Sequence, residues 1–377
     1  MSVPNLGDIK SMPLGYPGMA PQQTPSVWTT NPVLSYFNDI YNSVAARRAA
    51  LNLSNPGTME NINKEVSKDV FLNNYFFTGL RADLSKSFSM YPMFQVSHSF
   101  SLGSPVMPAY GFAGFYATDD VLMQGNVDND GSVTGRVHYR WDRFNISKAN
   151  MQFAAGQPSM LQLEHDIRGS DFSLNFKALN PSVLEGVFTG VAVGSLLQSV
   201  SSRLALGLET VYSAQSALYP PEAAVNYVAR YTGSDWVASA QLQAQGSVVA
   251  SFWRKVSDKV EAGLETNLSV GFSPQQQQMM MMGGAPAGGP SIEGTTTLGA
   301  KYEFRQSIFR GQIDSNGKVA CLVERRVLPV VSVIFAGEID HFKSASRLGL
   351  GLQFEAGGED VYAQAEATQM RQPSPPM

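Results

Sequence analysis

The sequence predicts an all-β protein: a transmembrane antiparallel β-barrel of about 19 strands. Charged residues make up only 15% of the 377 residues, against about 25% in ordinary soluble domains. The longest mostly apolar stretch, residues 328–336, is about half the length that a transmembrane helix requires. From about Phe77 to Glu355, apolar and polar side chains alternate with a period of two, as in strands that face lipid on one side and water on the other.

The alternation is clearest in residues 259–272. Leu264 and Leu268 fall on one face of this predicted strand, and Glu261 and Glu265 fall on the other, because successive side chains of a strand point to opposite faces. The same pattern recurs in four further segments, namely Leu204–Tyr212, Val133–Trp141, Leu298–Arg305 and Arg347–Glu355.

The number of strands follows from the length of the alternating region. At about 14–15 residues per strand and turn, the roughly 280 residues between Phe77 and Glu355 allow on the order of 19 strands. Asn316-Gly317 lies between two strand patterns, and this dipeptide predicts a type I′ hairpin turn.

A soluble β-sandwich would give the same alternation, because its strands also have one apolar face. Strands of ten or more residues and the lack of a domain break favour the membrane barrel. Aromatic residues near the predicted strand ends favour it too, since such residues form girdles at membrane interfaces. These residues are Tyr139, Trp141, Phe272 and Phe354.

The remaining segments flank or interrupt the predicted barrel. Asn31-Pro32 begins a predicted helix over residues 33–50, and Thr58 is expected to cap a second helix from Met59 to about Leu72. These helices either cover the barrel or place one helix inside its lumen. The predicted organisation is a disordered segment 1–30, helices in 31–76, a barrel over 77–355 with a low-complexity loop at 274–290, and a tail 356–377 with a short helix.

Composition excludes several classes of function. One cysteine, Cys321, allows no internal disulfide, and the four histidines lie far apart, so we expect no metal site and no cofactor. The net charge of −4 does not suggest a nucleic-acid binder. No nucleophile, base and orienting group occur together, so we expect no enzyme. The first residues resemble neither a secretory signal nor an Arg-rich transit peptide.

Strand parity places a modest excess of acids in the lumen. The basic residues expected there are Arg136, Arg140, Lys301, Arg305, Arg326 and Arg347. The acidic residues expected there are Asp128, Asp130, Glu209, Glu261, Glu265, Glu303, Glu324, Glu338 and Glu355. A negative lumen attracts Arg-rich targeting segments. These carboxylates could instead serve only to solvate a water-filled pore.

Several long strings carry a family resemblance. They include QGNVDNDGSVTGR at 124–136, FTGVAVGSLLQSV at 188–200, GAKYEFRQSIFRGQIDSNGKVACLVERRVLP at 299–329 and SVIFAGEIDHFKSASRLGLGLQFE at 332–355. Over about Asn31 to Glu355 the chain closely resembles the fungal central pore subunit of the translocase of the mitochondrial outer membrane, within the mitochondrial porin superfamily. The resemblance implies 19 strands with the first and last parallel, and a helix in the lumen.

The resemblance also implies partners and a role in protein import. The expected partners are preproteins, the receptor and small helical subunits of the translocase, a second copy of the chain and membrane lipids. The resemblance assigns Asp128, Asp130, Glu324 and Glu355 to a path for presequences. It therefore favours a protein-conducting channel of the mitochondrial outer membrane. The alternative is a voltage-dependent metabolite or anion porin of the same fold.

The last predicted strand carries a second expected signal. Arg347, Gly349, Leu352 and Phe354 fit a polar-x-Gly-x-x-apolar-x-apolar pattern, which resembles the sorting signal that outer-membrane insertion machinery reads on a final strand. Alternation with an inward-facing glycine is also what any lipid-facing strand shows.

Overall fold

The computed structural model describes residues 48, 51, 53–105, 107–154, 156, 158–182, 188–214, 220–271 and 291–357. The chain divides into two compact units. In the first, Met1–Asn52, only Arg48 and Leu51 are described. The second, Leu53–Met377, contains all the strands that the structure describes.

Within the described residues, nineteen strands form one closed sheet. Each strand pairs antiparallel with its neighbours in sequence, and β1 and β19 close the barrel as a parallel pair in which Leu80 lies opposite Leu350. The predicted barrel, its strand number and the parallel closing pair are confirmed. The strands are β1 Gly79–Met90, β2 Met93–Leu102, β3 Tyr110–Ala117, β4 Val121–Asp128, β5 Val133–Arg140, β6 Asn145–Phe153, β7 Met160–Arg168, β8 Phe172–Ser182, β9 Thr189–Ser199, β10 Leu204–Ala214, β11 Glu222–Thr232, β12 Trp236–Leu242, β13 Val248–Ser257, β14 Val260–Gly271, β15 Ser291–Glu303, β16 Ser307–Asp314, β17 Lys318–Leu328, β18 Val331–Asp340 and β19 Ala345–Gly357.

The two faces of the strands are those that the alternation predicts. On β14, the side chains of Leu264 and Leu268 are 37% and 43% exposed on the outer surface. Gly263 precedes Leu264 and lies on the opposite face, where an added Cβ atom would lie 3.2 Å from Val66 on the inside. The outward face of β14 is therefore the lipid face, and its polar face lines the lumen.

Residues 54–77, the inner segment, lie along the inner wall from β8 to β19. Met59 and Ile62 pack with Leu197 of β9, Ala205 of β10 and Val228 of β11. Farther along, Val66, Val70 and Phe71 form a buried cluster against Trp253 of β13. Leu72 and Phe77 then pack against Leu322 of β17 and Ala336 of β18. These apolar contacts fill part of the lumen with the chain's own residues.

Polar contacts attach the inner segment to the wall along its length. The Asn55 side chain donates to the carbonyls of Gly169 and Phe172. Arg230 of β11 donates to the carbonyls of Asn61 and Ile62, each at 3.1 Å, and to Glu65 at 2.6 Å.

The second predicted helix is wrong in kind, although it lies inside the lumen. A 3₁₀ turn at Met59–Asn61 and a π-helical turn at Glu65–Val70 replace a continuous α-helix. Thr58 makes no side-chain capping bond and instead accepts a hydrogen bond from the Asn61 side chain. Packing against the curved wall, rather than local capping, sets this backbone.

The turn between β16 and β17 lies where it is predicted but is not type I′. Only Gly317 has a positive φ, of 72°, in the loop of residues 315–317, whereas type I′ requires two such residues. A type I turn followed by a left-handed glycine explains the donation from Gly317 N to Asp314 O at 3.1 Å.

Several predicted segments lie outside the described residues. These are residues 1–30, the first predicted helix apart from Arg48, the loop 274–290 with Phe272, and the predicted tail beyond Gly357. The last strand continues through Gly357, two residues beyond the predicted end of the barrel at Glu355.

Candidate functional site in the lumen

A cavity of about 570 Å³ lies on the inner wall where β1–β4 meet β17–β19. Small inward side chains leave this space open, among them Ser97 and Ala113. Gly111 gives room to the Asp128 side chain, because a Cβ atom there would lie 3.0 Å from Asp128 Oδ1. The cavity exists because the closing strands bring the two ends of the barrel sequence together.

Three predicted path residues, Asp128, Glu324 and Glu355, line this one cavity. Asp128 accepts a hydrogen bond from Ser132 Oγ at 2.9 Å. Glu355 accepts one from Gln353 at 2.9 Å and lies 3.7 Å from Arg326, with both side chains more than half exposed. Within the described part of the chain, neither Asp128 nor Glu324 forms an ion pair. The cavity therefore has a net negative charge.

Asp130 does not lie on a strand, so its assignment to the lumen by strand parity is wrong. It is an exposed residue of the turn between β4 and β5. Gly131, with φ of 76°, follows it in this turn. The Asn129-Asp130-Gly131 sequence ends the alternation, because turn residues do not follow the period of the flanking strands.

The other predicted lumen acids lie on inward faces but have different surroundings. Glu209 accepts a hydrogen bond from Asn226 at 2.8 Å, and Glu265 accepts one from Asn63 of the inner segment at 3.3 Å. Glu303 pairs with Lys301 at 2.5 Å. Glu338 lies opposite Arg347 in the register of β18 and β19, and Glu261 lies opposite Lys301 in that of β14 and β15.

Asp83 and Tyr75 line the negatively charged cavity but are not among the site residues predicted from the sequence. Asp83 of β1 lies 2.7 Å from Arg81, and both line the cavity. Tyr75 of the inner segment also lines it, beneath the Arg310 guanidinium at 4.1 Å from the ring centre. The alternation of Leu80 and Leu84 with Arg81 and Asp83 is the sequence signal from which strand β1 and the inward position of Asp83 could have been predicted. Tyr75 carries no comparable local signal.

A buried ion-pair cluster lies elsewhere on the inner wall. Lys148 Nζ lies 2.8 Å from both Glu164 and Asp166, which are almost fully buried. Lys177 pairs with Glu60 of the inner segment. Because these side chains pair with one another and Glu60 belongs to the inner segment, we interpret the cluster as an anchor rather than a binding site.

The predicted sorting-signal residues have clear positions on β19. Leu352 and Phe354 face outward, and Arg347 and Gly349 face the lumen. A Cβ atom on Gly349 would lie 2.3 Å from the carbonyl oxygen of Phe77. The close approach of the inner segment thus requires a glycine here, whether or not the insertion machinery recognises the strand.

Two further properties concern the described residues only. They include no group of three or more His, Cys, Asp or Glu positioned to hold a metal ion. Nor do they include a helix with the length and apolar character needed to cross a bilayer.

A closed 19-stranded sheet, apolar outside and charged inside, defines a porin-type membrane channel. Residues 55–349 match the model of the family described as eukaryotic porin. The chain is 54% identical over 354 residues to the mitochondrial import receptor subunit TOM40 of Saccharomyces cerevisiae, covering 93% of this chain and 91% of that protein. It is 46% identical over 340 residues to tom40 of Neurospora crassa, covering 90% and 94%. The chain belongs to the Tom40 branch of the eukaryotic porin family.

Membership confirms the family resemblance and places the barrel in the mitochondrial outer membrane. This family is one of channel proteins and is not a known class of enzymes. Among solved structures, a mutant of Rh. blastica porin aligns with a TM-score of 0.36 at 12% identity, over 70% of this chain and 90% of that one. That similarity is too low to add to the argument.

Proposed function

We propose that this chain is the protein-conducting channel of the mitochondrial outer membrane, and that it binds and translocates unfolded preproteins with basic presequences. The observation that supports this proposal most strongly is the negative cavity, in which Asp128 and Glu324 lack basic partners among the described residues. The names of the relatives, which include the words import receptor subunit, support the same role.

The chemistry of the cavity suits a moving basic segment. Targeting segments are rich in Arg and poor in acids, and a low-dielectric wall focuses the field of its carboxylates. Each exposed charge contact contributes no more than about 1 kcal/mol. Contacts of that strength hold a chain briefly and release it, whereas one tight pocket would stop it.

The partners of this channel are part of the proposal. They are preproteins, the receptor and small helical subunits of an import complex, a second copy of the chain and the surrounding lipids. The word subunit in the relatives' names supports membership of such a complex. An anion porin is less favoured, because unpaired lumen carboxylates repel anionic metabolites.

The test is removal of the three cavity charges in planar bilayers. We expect the variant Asp128→Asn, Glu324→Gln, Glu355→Gln to lose cation preference. Its Kd for block by a basic presequence peptide should rise by about tenfold, because three exposed charge contacts are lost. The effect should be largest at low salt, since screening acts within about 8 Å at physiological ionic strength. Reversal potential and peptide block are the measurements.

The matched control removes three lumen charges on another arc of the wall. It carries Glu209→Gln on β10 and Glu261→Gln and Glu265→Gln on β14. An equal loss of peptide block in this control would show that only the total charge matters and would overturn the local site. Single neutralisation of Asp130 in its exposed turn should have less effect than neutralisation of Asp128.

A further inference from the structure

A second lumen surface adjoins the negative cavity, and the one charged side chain that lines it among the described residues is Arg136. It is a cavity of about 390 Å³ on the inward faces of β4–β7. Its polar lining is dominated by carboxamides, and no described carboxylate lines it. We call this surface the carboxamide lane and define it by Gln124, Asn126, Asn150, Gln152 and Gln162.

Strand register makes the lane continuous. Gln124 and Asn150 both lie opposite Arg136 of β5, on its two sides, and Asn150 lies opposite Gln162 of β7. In the neighbouring row, Asn126 and Gln152 both lie opposite Thr134. Gln124 and Asn126 also line the negative cavity. The lane therefore leads directly away from the carboxylates along the wall.

The hydrogen-bonding groups of the lane are largely free. Gln152 and Gln162 make no side-chain hydrogen bond to another described residue. Gln124 reaches Asn126 only at 3.5 Å, and Asn150 accepts from Arg136 Nε at 3.2 Å. Each carboxamide offers two donors and one acceptor oxygen, so the lane presents both kinds of group to the lumen.

We propose that the carboxamide lane binds the main chain of an extended polypeptide, independently of its sequence. A carboxamide matches the N–H and C=O of a peptide unit. Neighbouring inward positions on one strand, such as Asn150 and Gln152, are two residues apart, and an extended chain repeats its orientation over the same distance of about 6.6 Å. This inference deepens the proposed function and depends on it. The acids contact the basic presequence, and the lane contacts the part of the preprotein that follows the presequence.

The carboxamides of the lane, unlike Arg136 between them, would contact a polypeptide without regard to its charge. A preprotein beyond its presequence contains residues of every type, and a charged wall would hold some of them and repel others. Neutral carboxamides give weak contacts of one kind to all, because hydrogen bonds in the presence of water contribute little net free energy.

The test uses two peptide probes in planar bilayers. One is an uncharged, end-capped peptide of Gly, Ser, Asn and Thr, and the other is a basic presequence peptide. In the variant Gln152→Met, Gln162→Met, we expect the Kd for block by the uncharged peptide to rise by about fivefold, at low and high salt alike, since two hydrogen-bonding groups are lost. Block by the basic peptide should change by less than about twofold.

The matched control is Gln241→Met, Asn267→Leu, which removes two inward carboxamides on β12 and β14. An equal loss of uncharged-peptide block in this control would overturn the lane, as would unchanged block in the lane variant. If the Met variant gives no channels, Gln152→Ala, Gln162→Ala is measured in its place. Wild-type channels blocked only by the basic peptide would overturn the lane and leave the proposed function standing. Channels blocked by neither peptide would overturn both.

Discussion

Replacing Gly349 by alanine is expected to prevent the barrel from closing. The added Cβ atom would lie 2.3 Å from the carbonyl oxygen of Phe77 and 3.0 Å from its ring. The carbonyl belongs to the backbone that leads into β1, so it cannot rotate away as a side chain could. Overpacking of this kind costs about 3 kcal/mol. Import of the radiolabelled variant into isolated mitochondria, followed by native gels, should show protein that is imported but not assembled.

Gly337→Ala is the matched control on the neighbouring strand. A Cβ atom there would lie no closer than 3.6 Å to Cys321 and Leu348, an ordinary contact, so this variant should assemble. Gly351→Ala adds a further comparison, because its closest contact is the end of the Phe77 ring at 2.8 Å. Phe77→Leu should rescue Gly351→Ala and should not rescue Gly349→Ala. Rescue of both would contradict the backbone contact.

The same assay tests the proposed sorting signal of Arg347, Gly349, Leu352 and Phe354. We compare Leu352→Gln, Phe354→Gln on β19 with Leu264→Gln, Leu268→Gln on β14, since both pairs remove two outward apolar side chains. If the signal is read by the insertion machinery, the β19 pair should stall earlier and more completely. Equal stalling would reduce the motif to ordinary alternation.

A lysine at Leu264 or Leu268 is expected to destabilise the barrel by about 2–4 kcal/mol, the cost of a cation on the lipid face near the bilayer midplane. Both side chains face outward at the middle of β14. Asn267→Lys is the control, because its side chain faces the lumen and the charge stays in water. Urea unfolding of protein refolded into lipid vesicles measures the difference. Equal tolerance of lysine at Leu264 and Asn267 would contradict the assigned faces.

The sequence predicted the barrel wall well, for a physical reason. Each strand faces lipid on one side and water on the other. Its apolar and polar residues therefore alternate along the local sequence, as Leu264 and Glu265 do. The same rule put Asp128 and Glu324 on the inward face. It failed at Asp130, because a turn residue has no face.

The inner segment was less predictable, because its structure depends on distant residues. Ile62, Val66 and Val70 have helical spacing, yet the backbone forms a 3₁₀ turn and a π-helical turn. Its attachments come from Arg230 and Gln312, which lie far along the chain. The carboxamide lane was missed for a similar reason: its members are dispersed over three strands, and only the register brings them together.

The parallel closing pair also governs the order in which the barrel can form. Eighteen of the pairings join strands that follow each other in sequence, and only β1 and β19 join residues as distant as Leu80 and Leu350. Closing a long loop costs little extra free energy, but a contact of such high sequence separation forms slowly. Until β19 pairs with β1, the two edges of the sheet expose unpaired backbone N–H and C=O groups, which other chains can bind. Because Phe77 lies against Gly349, we expect residues 54–77 to be in place when β19 closes on β1, so that the barrel closes around this inner segment.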